Sequence, residues 1–204
     1  MTVSTLATER RPLVLRTRPA VDLTDDEFFA FCRLNEEWRI ERTAVGELEI
    51  MAPAGWETSS RNAIITAQLT TWALGDGTGI ASDSSGGFIL PNGAVRSPDA
   101  AWVRRDRLAA LSAPRRERFL PLCPDFVIEL RSPSDGLGRI RAKMAEYVEN
   151  GARLGWLIDA SEHRVEVCRP GVEIELLDAP RSVTGAPELS GFVMDLDLIW
   201  RQRS

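Results

Sequence analysis

Lysine is almost absent from this chain: of its twenty-five basic residues, twenty-four are arginine and one, Lys143, is lysine. A bias of that kind follows codon usage, under which a lysine that arginine can replace tends to be replaced. A survivor points to a compact ammonium that a planar guanidinium cannot imitate, the alternative being chance retention. Histidine is equally scarce, and the single His163 falls in an expected turn, which excludes a histidine-based metal or catalytic cluster. The three cysteines, Cys32, Cys123 and Cys168, are odd in number and far apart. Neither a disulfide framework nor a zinc site is expected from them, and reduced thiols suit a cytoplasmic protein. No stretch approaches the roughly 18 apolar residues of a membrane span. The apolar patch after Arg10 and Arg11 is too short for the core of a signal peptide, so no export is expected.

What is present suits one folded domain, expected over residues 12–204 behind a mobile arm of residues 1–11. The hydrophobic share of 44% and charged share of 27% are ordinary for a folded soluble protein. The net charge of −5 argues against a protein that coats nucleic acid indiscriminately, but the charge is unevenly spread. Between Arg96 and Lys143 there are eleven basic and six acidic residues, against fourteen and twenty-four elsewhere. A basic middle can face a polyanion, or can be no more than a charged surface.

Local patterns set the order of elements. Pro12 to Arg16 reads as a short strand, and Thr24-Asp-Asp-Glu27 as a capping box opening a helix to about Trp38. Arg39 to Thr43 and Glu47 to Met51 form a hairpin around Val45-Gly46. Ile64, Ile65, Gln68, Leu69, Trp72 and Ala73 recur at helical spacing in a helix from about Glu57 to Leu74, closed by Gly75-Asp-Gly77. Strands are expected at 79–82, 87–90, 99–104, 126–130, 154–158, 164–168, 173–177 and 192–196. A short helix belongs within 105–118 and a longer one at 138–149. The order predicts an α/β or α+β fold, a mixed sheet flanked by helices.

The chemistry concentrates on a few residues. Strand alternation puts Asp99, Ala101 and Val103 on one face, and Asp125, Val127, Glu129 and Arg131 on one face of the later strand. If those strands are neighbours, Asp99 and Glu129 meet at one end of a sheet. Two carboxylates with water and phosphate oxygens suit Mg²⁺, which keeps several waters. The plainer alternative is that Asp99 caps its strand and Glu129 pairs with an arginine; a carboxylate in an apolar strand is expensive without a partner. On the next helix Ile140, Met144, Tyr147 and Val148 form the buried stripe, with Lys143 at its edge. Helical side chains lean towards the N-terminus, so Lys143 either reaches back towards the Glu129 strand or snorkels on the surface. Tyr147 reads as core.

Pro98-Asp99, followed thirty positions later by Glu129-Leu130-Arg131, resembles the signature of PD-(D/E)XK nucleases. Gly46 to Pro53, Ser97-Pro-Asp-Ala100, Pro124 to Ser134, Lys143 with Tyr147, and Gly155-Trp-Leu-Ile-Asp159 resemble the Uma-two family of restriction-endonuclease-like proteins, over about residues 24 to 200. The resemblance implies a restriction-endonuclease-like fold, a Mg²⁺ site that Mn²⁺ can also fill, and cleavage of DNA. It makes Asp99 and Glu129 the metal ligands and Glu57 an extra acidic residue, which as a first-turn residue also suits the helix dipole. The motif expects lysine where this chain has Arg131, which stays protonated and cannot act as a base but can bind phosphate. The lysine role then passes to Lys143. Arg96, Arg104, Arg115 and Arg131 are candidate phosphate contacts, and a homodimer suits a twofold-symmetric duplex. The competing expectation is a non-catalytic nucleic-acid- or protein-binding module that retains the nuclease fold.

Overall fold

A computed structural model describes residues 12–133 and 135–201. The expected N-terminal arm lies outside the described residues. Strand β1 (Leu13–Leu15) leads to helix α1 (Asp25–Leu34), which opens on the expected capping box. The Thr24 hydroxyl accepts from the Glu27 amide, and the Glu27 carboxylate accepts from the Thr24 amide at 2.8 Å. The helix stops at Asn35, short of the expected Trp38. The Asn35 side chain donates to the Phe31 carbonyl and its own carbonyl accepts from the Trp38 amide, so the chain turns there.

The hairpin β2 (Arg39–Arg42) and β3 (Leu48–Met51) follows, turning through Gly46 at φ 88°. Helix α2 (Trp56–Asp76) buries Arg61, Ile65, Leu69 and Ala73 along one stripe and ends at Gly77 in the left-handed region. Then come β4 (Gly79–Asp83), β5 (Phe88–Ile89), β6 (Val95–Arg96), β7 (Ala100–Arg104) and the short helices α3 (Arg105–Ala109) and α4 (Ala113–Arg116). Strand β8 (Phe126–Arg131), helix α5 (Leu137–Glu149) and strand β9 (Leu154–Asp159) form a β-α-β unit. The chain closes with β10 (Arg164–Cys168), β11 (Glu175–Asp178), β12 (Ser182–Thr184), β13 (Val193–Asp195) and α6 (Asp197–Trp200). The sequence patterns do not announce β6, β12 or α6, which are two to four residues long and too short for a period to register.

The central sheet runs β11-β10-β9-β8-β7-β4. Only β8 and β9 are parallel, because α5 connects them; the other neighbours are antiparallel. One face packs on α2 and the C-terminal elements through Ile65, Leu69, Phe126, Ile128, Trp156 and Phe192. The other face packs on α5 through Ala101, Val103, Val127, Leu157, Ile140, Met144 and Tyr147. Helix α5 sits close: a Cβ built on Gly155 of β9 would lie 2.2 Å from the Met144 sulfur. A second sheet, β1-β3-β2-β6-β5, encloses Phe28, Ile40, Leu48 and Val95. This is a mixed α/β fold, as the order of elements predicts.

Candidate active site

The register of β7 on β8 pairs Ala100 with Ile128 and Ala101 with Val127, so Asp99 stands one step beyond, level with Glu129. Both carboxylates belong to the α5 side of the sheet, where their alternate neighbours Ala101 and Val127 are packed. Asp99 is buried, with Oδ2 accepting from the Leu130 amide at 2.8 Å and Oδ1 from Arg39 at 3.1 Å and Asn62 at 3.3 Å. Glu129 is buried too. Its Oε1 accepts from the Tyr147 hydroxyl at 3.1 Å and lies 2.8 Å from the Lys143 ammonium.

Lys143 is 8% exposed, so it does not snorkel. Its Nζ bridges Glu129 and Glu41, at 2.8 Å from each. Glu41 enters from β2, where alternation puts it on the same face as Arg39. Besides Lys143, Glu41 accepts from Arg96 at 3.2 Å and from the Ser97 amide at 3.1 Å.

Burial works against the charged form of both glutamates, but their neighbours differ. At Glu41 burial is outweighed by Lys143, Arg39 and Arg96, and the carboxyl is lowered to about 2. At Glu129 burial, reinforced by the charges of Asp99 and Glu41, outweighs Lys143 and Arg39 and pushes the carboxyl up. Burial and the charge of Glu129 hold Tyr147 well above the usual phenol range, so it remains a hydrogen-bond donor.

The donor set suits a hard divalent cation. Two carboxylates lie level on neighbouring strands, and the buried Oδ1 of Asn62, whose amide nitrogen donates to Asp99, has no hydrogen-bond partner among the described residues. Among the described residues no group of three or more His, Cys, Asp or Glu is arranged to hold a metal. A cation here would therefore take Asp99, Glu129 and water, the sparse protein ligation that Mg²⁺ tolerates.

The profile of a family named Uma2, described as "Putative restriction endonuclease", matches residues 25–197. The chain belongs to the Uma2 family. A crystal structure described as "a putative nuclease belonging to DUF820 from Anabaena variabilis" superposes with a TM-score of 0.70 at 20% identity. The match covers 88% of this chain and 98% of that one, and shows that the two share a fold. No curated protein matches.

In this Uma2 chain the other expected site residues are scattered. Glu57 lines the same cleft as Asp99, Glu129 and Lys143. Its side chain is 58% exposed and ion-paired to Arg61 at 3.3 Å, while Asn62 of the same helix reaches Asp99. Arg131 is engaged by Asp159 at 2.6 Å and donates to the Asp135 carbonyl. Arg96, expected as a phosphate contact, is buried, with Glu41, Glu49 and Glu146 around its guanidinium at 3.2, 2.5 and 2.6 Å. Arg104 ends β7 roughly 17 Å along the strand from Asp99 and pairs with Asp106. Arg115 is exposed on α4. Neither Arg104 nor Arg115 lines the cleft, whose arginines among the described residues are Arg33, Arg39, Arg61 and Arg139.

The sequence does not flag Arg39, Glu41 or Asn62. For the first two a signal exists, since Arg39-Ile-Glu41 alternates and puts two charges on one face. For Asn62 there is none. Among the described residues no helix is long and apolar enough to cross a membrane, and the three cysteines are free thiols.

Proposed function

We propose that this Uma2 protein is a Mg²⁺-dependent phosphodiester hydrolase of the PD-(D/E)XK type, an endonuclease acting on DNA. The observation that carries the reading is the meeting of Asp99 and Glu129 on adjacent strands, with the chain's one lysine 2.8 Å from Glu129. Asp99 and Glu129 would hold the cation, and Mn²⁺ can take its place. When bound, Mg²⁺ polarises the scissile phosphate and lowers the pKa of an attacking water.

The residues of this chain divide the remaining work. Tyr147 and Lys143 both address Oε1 of Glu129, which holds the carboxylate in place. The Leu130 amide orients Asp99 in the same way. Lys143, carried one turn before Tyr147, offers an ammonium to the charge that develops on phosphate oxygens. Arg39, shared between Asp99 and the Ser97 carbonyl, stands at the cleft as a phosphate-binding cation. Arg131, committed to Asp159, leaves the motif lysine's role to Lys143. Homodimerisation would let two such sites address the two strands of a duplex.

Incubation of purified protein with supercoiled plasmid and Mg²⁺ or Mn²⁺ tests the reading. Wild type is expected to nick, and Asp99→Ala to lose activity. Lys143→Met should lower kcat about 10²- to 10³-fold, as loss of one preorganised charge-stabilising donor does. Equal nicking by wild type and Asp99→Ala would contradict the proposal.

A further inference from the structure

We propose that Glu41 is the positioning residue for Lys143, tying the ammonium to the segment that carries Asp99 from the second sheet while Glu129 holds it from the central one. This rests on the hydrolase reading for its catalytic consequence, but not for its geometry.

Glu41 is the most deeply buried charged residue of the second sheet, with a side chain that is 0% exposed, and a carboxylate so placed needs partners. Glu41 is not the only tie between the second sheet and α5, because Arg96 of β6 pairs with Glu49 of β3 and with Glu146 of α5. What Glu41 adds is carried by one atom. Its Oε1 takes the Lys143 ammonium at 2.8 Å and the Ser97 amide at 3.1 Å. Ser97 lies two residues before Asp99, so that oxygen ties the lysine on α5 to the segment that delivers the first carboxylate. The second oxygen is held by Arg96 at 3.2 Å, which stops the carboxylate from rotating away.

A lysine has four rotatable bonds and substantial rotamer entropy, and a single ion pair leaves much of that freedom intact. Two carboxylates from different elements, each 2.8 Å from the ammonium, restrict it further. The second anchor also matters once Glu129 shares its charge with a cation, since the pull of Glu129 on Lys143 then weakens while that of Glu41 does not. Glu41 touches neither substrate nor metal in this scheme; it acts through Lys143.

The single lysine makes a direct test available. Protein labelled with ¹³C,¹⁵N-lysine carries one side-chain ammonium resonance, that of Lys143, and a buried, hydrogen-bonded ammonium exchanges slowly enough with water to be seen. Glu41→Gln keeps the shape and removes the charge; Glu41→Asp keeps the charge on a shorter arm. In Glu41→Gln the ammonium signal is expected to broaden or vanish and kcat to fall about 10- to 100-fold with KM little changed, the usual cost of removing a supporting partner. Glu41→Asp should recover part of both. A Lys143 signal unchanged in Glu41→Gln, or wild-type kcat in that variant, would overturn the proposal. If circular dichroism shows Glu41→Gln unfolded, Glu41→Asp decides: a shifted signal with reduced kcat supports the assignment, and an unchanged signal overturns it. If wild type cleaves nothing, the hydrolase reading fails separately, and the resonance in Glu41→Gln still decides whether Glu41 holds the lysine.

Discussion

At the scale of single residues, the site is built from two buried glutamates that answer their surroundings in opposite ways. Glu41, facing Lys143, Arg39 and Arg96, is lowered from an ordinary 4.5 to about 2, whereas Glu129, beside Asp99, is pushed up. A carboxyl lowered on folding adds stability that is present above its unfolded value and lost as pH falls towards the folded one. Glu41→Gln should therefore be less stable than wild type at neutral pH, with the gap closing between pH 4.5 and about 2. A raised carboxyl has the reverse sign: its ionised form weighs against the fold once pH climbs past its titration. Glu129→Gln, measured with chelator present, should match or exceed wild-type stability at pH 7 and lose that advantage below pH 4.5. Urea titrations across pH check both, and a Glu129→Gln protein less stable than wild type at pH 7 would count against the assignment. Such a residue, costly to the fold and kept, fits a site selected for chemistry rather than stability.

At the scale of elements, helix α5 sets where the lysine goes. Its depth on the sheet is fixed by Gly155, where any side chain would meet the Met144 sulfur next to Lys143. Gly155→Ala is expected to cost about 1–3 kcal/mol, as overpacking does. In urea the midpoint should fall without a change in slope. A midpoint equal to wild type would mean that Met144 simply swings aside. Most of these elements are legible in the sequence, because α2, α5, β7, β8 and β9 are long enough to show a period and are bounded by glycine or proline. The alternation that puts Asp99 and Glu129 on one face is legible for the same reason, and the register of β7 on β8 bears it out. Where α1 stops is not, since it depends on Asn35 turning the chain. The alternation of Arg39-Ile-Glu41 marks Glu41 as facing one way but not its partners: Lys143, Arg96 and Ser97 lie fifty-five to one hundred and two positions away, and no local pattern reports contacts of that range.

At the scale of the whole molecule, the basic middle of the sequence does not become one basic face. Arg96 and Arg131 are consumed by internal carboxylates, and Arg104 and Arg115 lie away from the cleft. Among the described residues seven carboxylates and five cations line the cleft of about 1650 Å³, so a bound divalent cation would make its field more favourable to a polyanion. Arg33, exposed on the cleft, should contribute to DNA affinity, and Arg33→Ala should reduce the salt slope of binding by about one; Arg104→Ala should leave it unchanged. Equal effects would place the DNA elsewhere. The central claim is that Asp99 and Glu129 share a cation, and anomalous diffraction from crystals soaked in Mn²⁺ tests it most directly. The account predicts a peak between the two carboxylates that disappears in Asp99→Ala. Saturating Mn²⁺ with no peak there, or with one held by other residues, would contradict it.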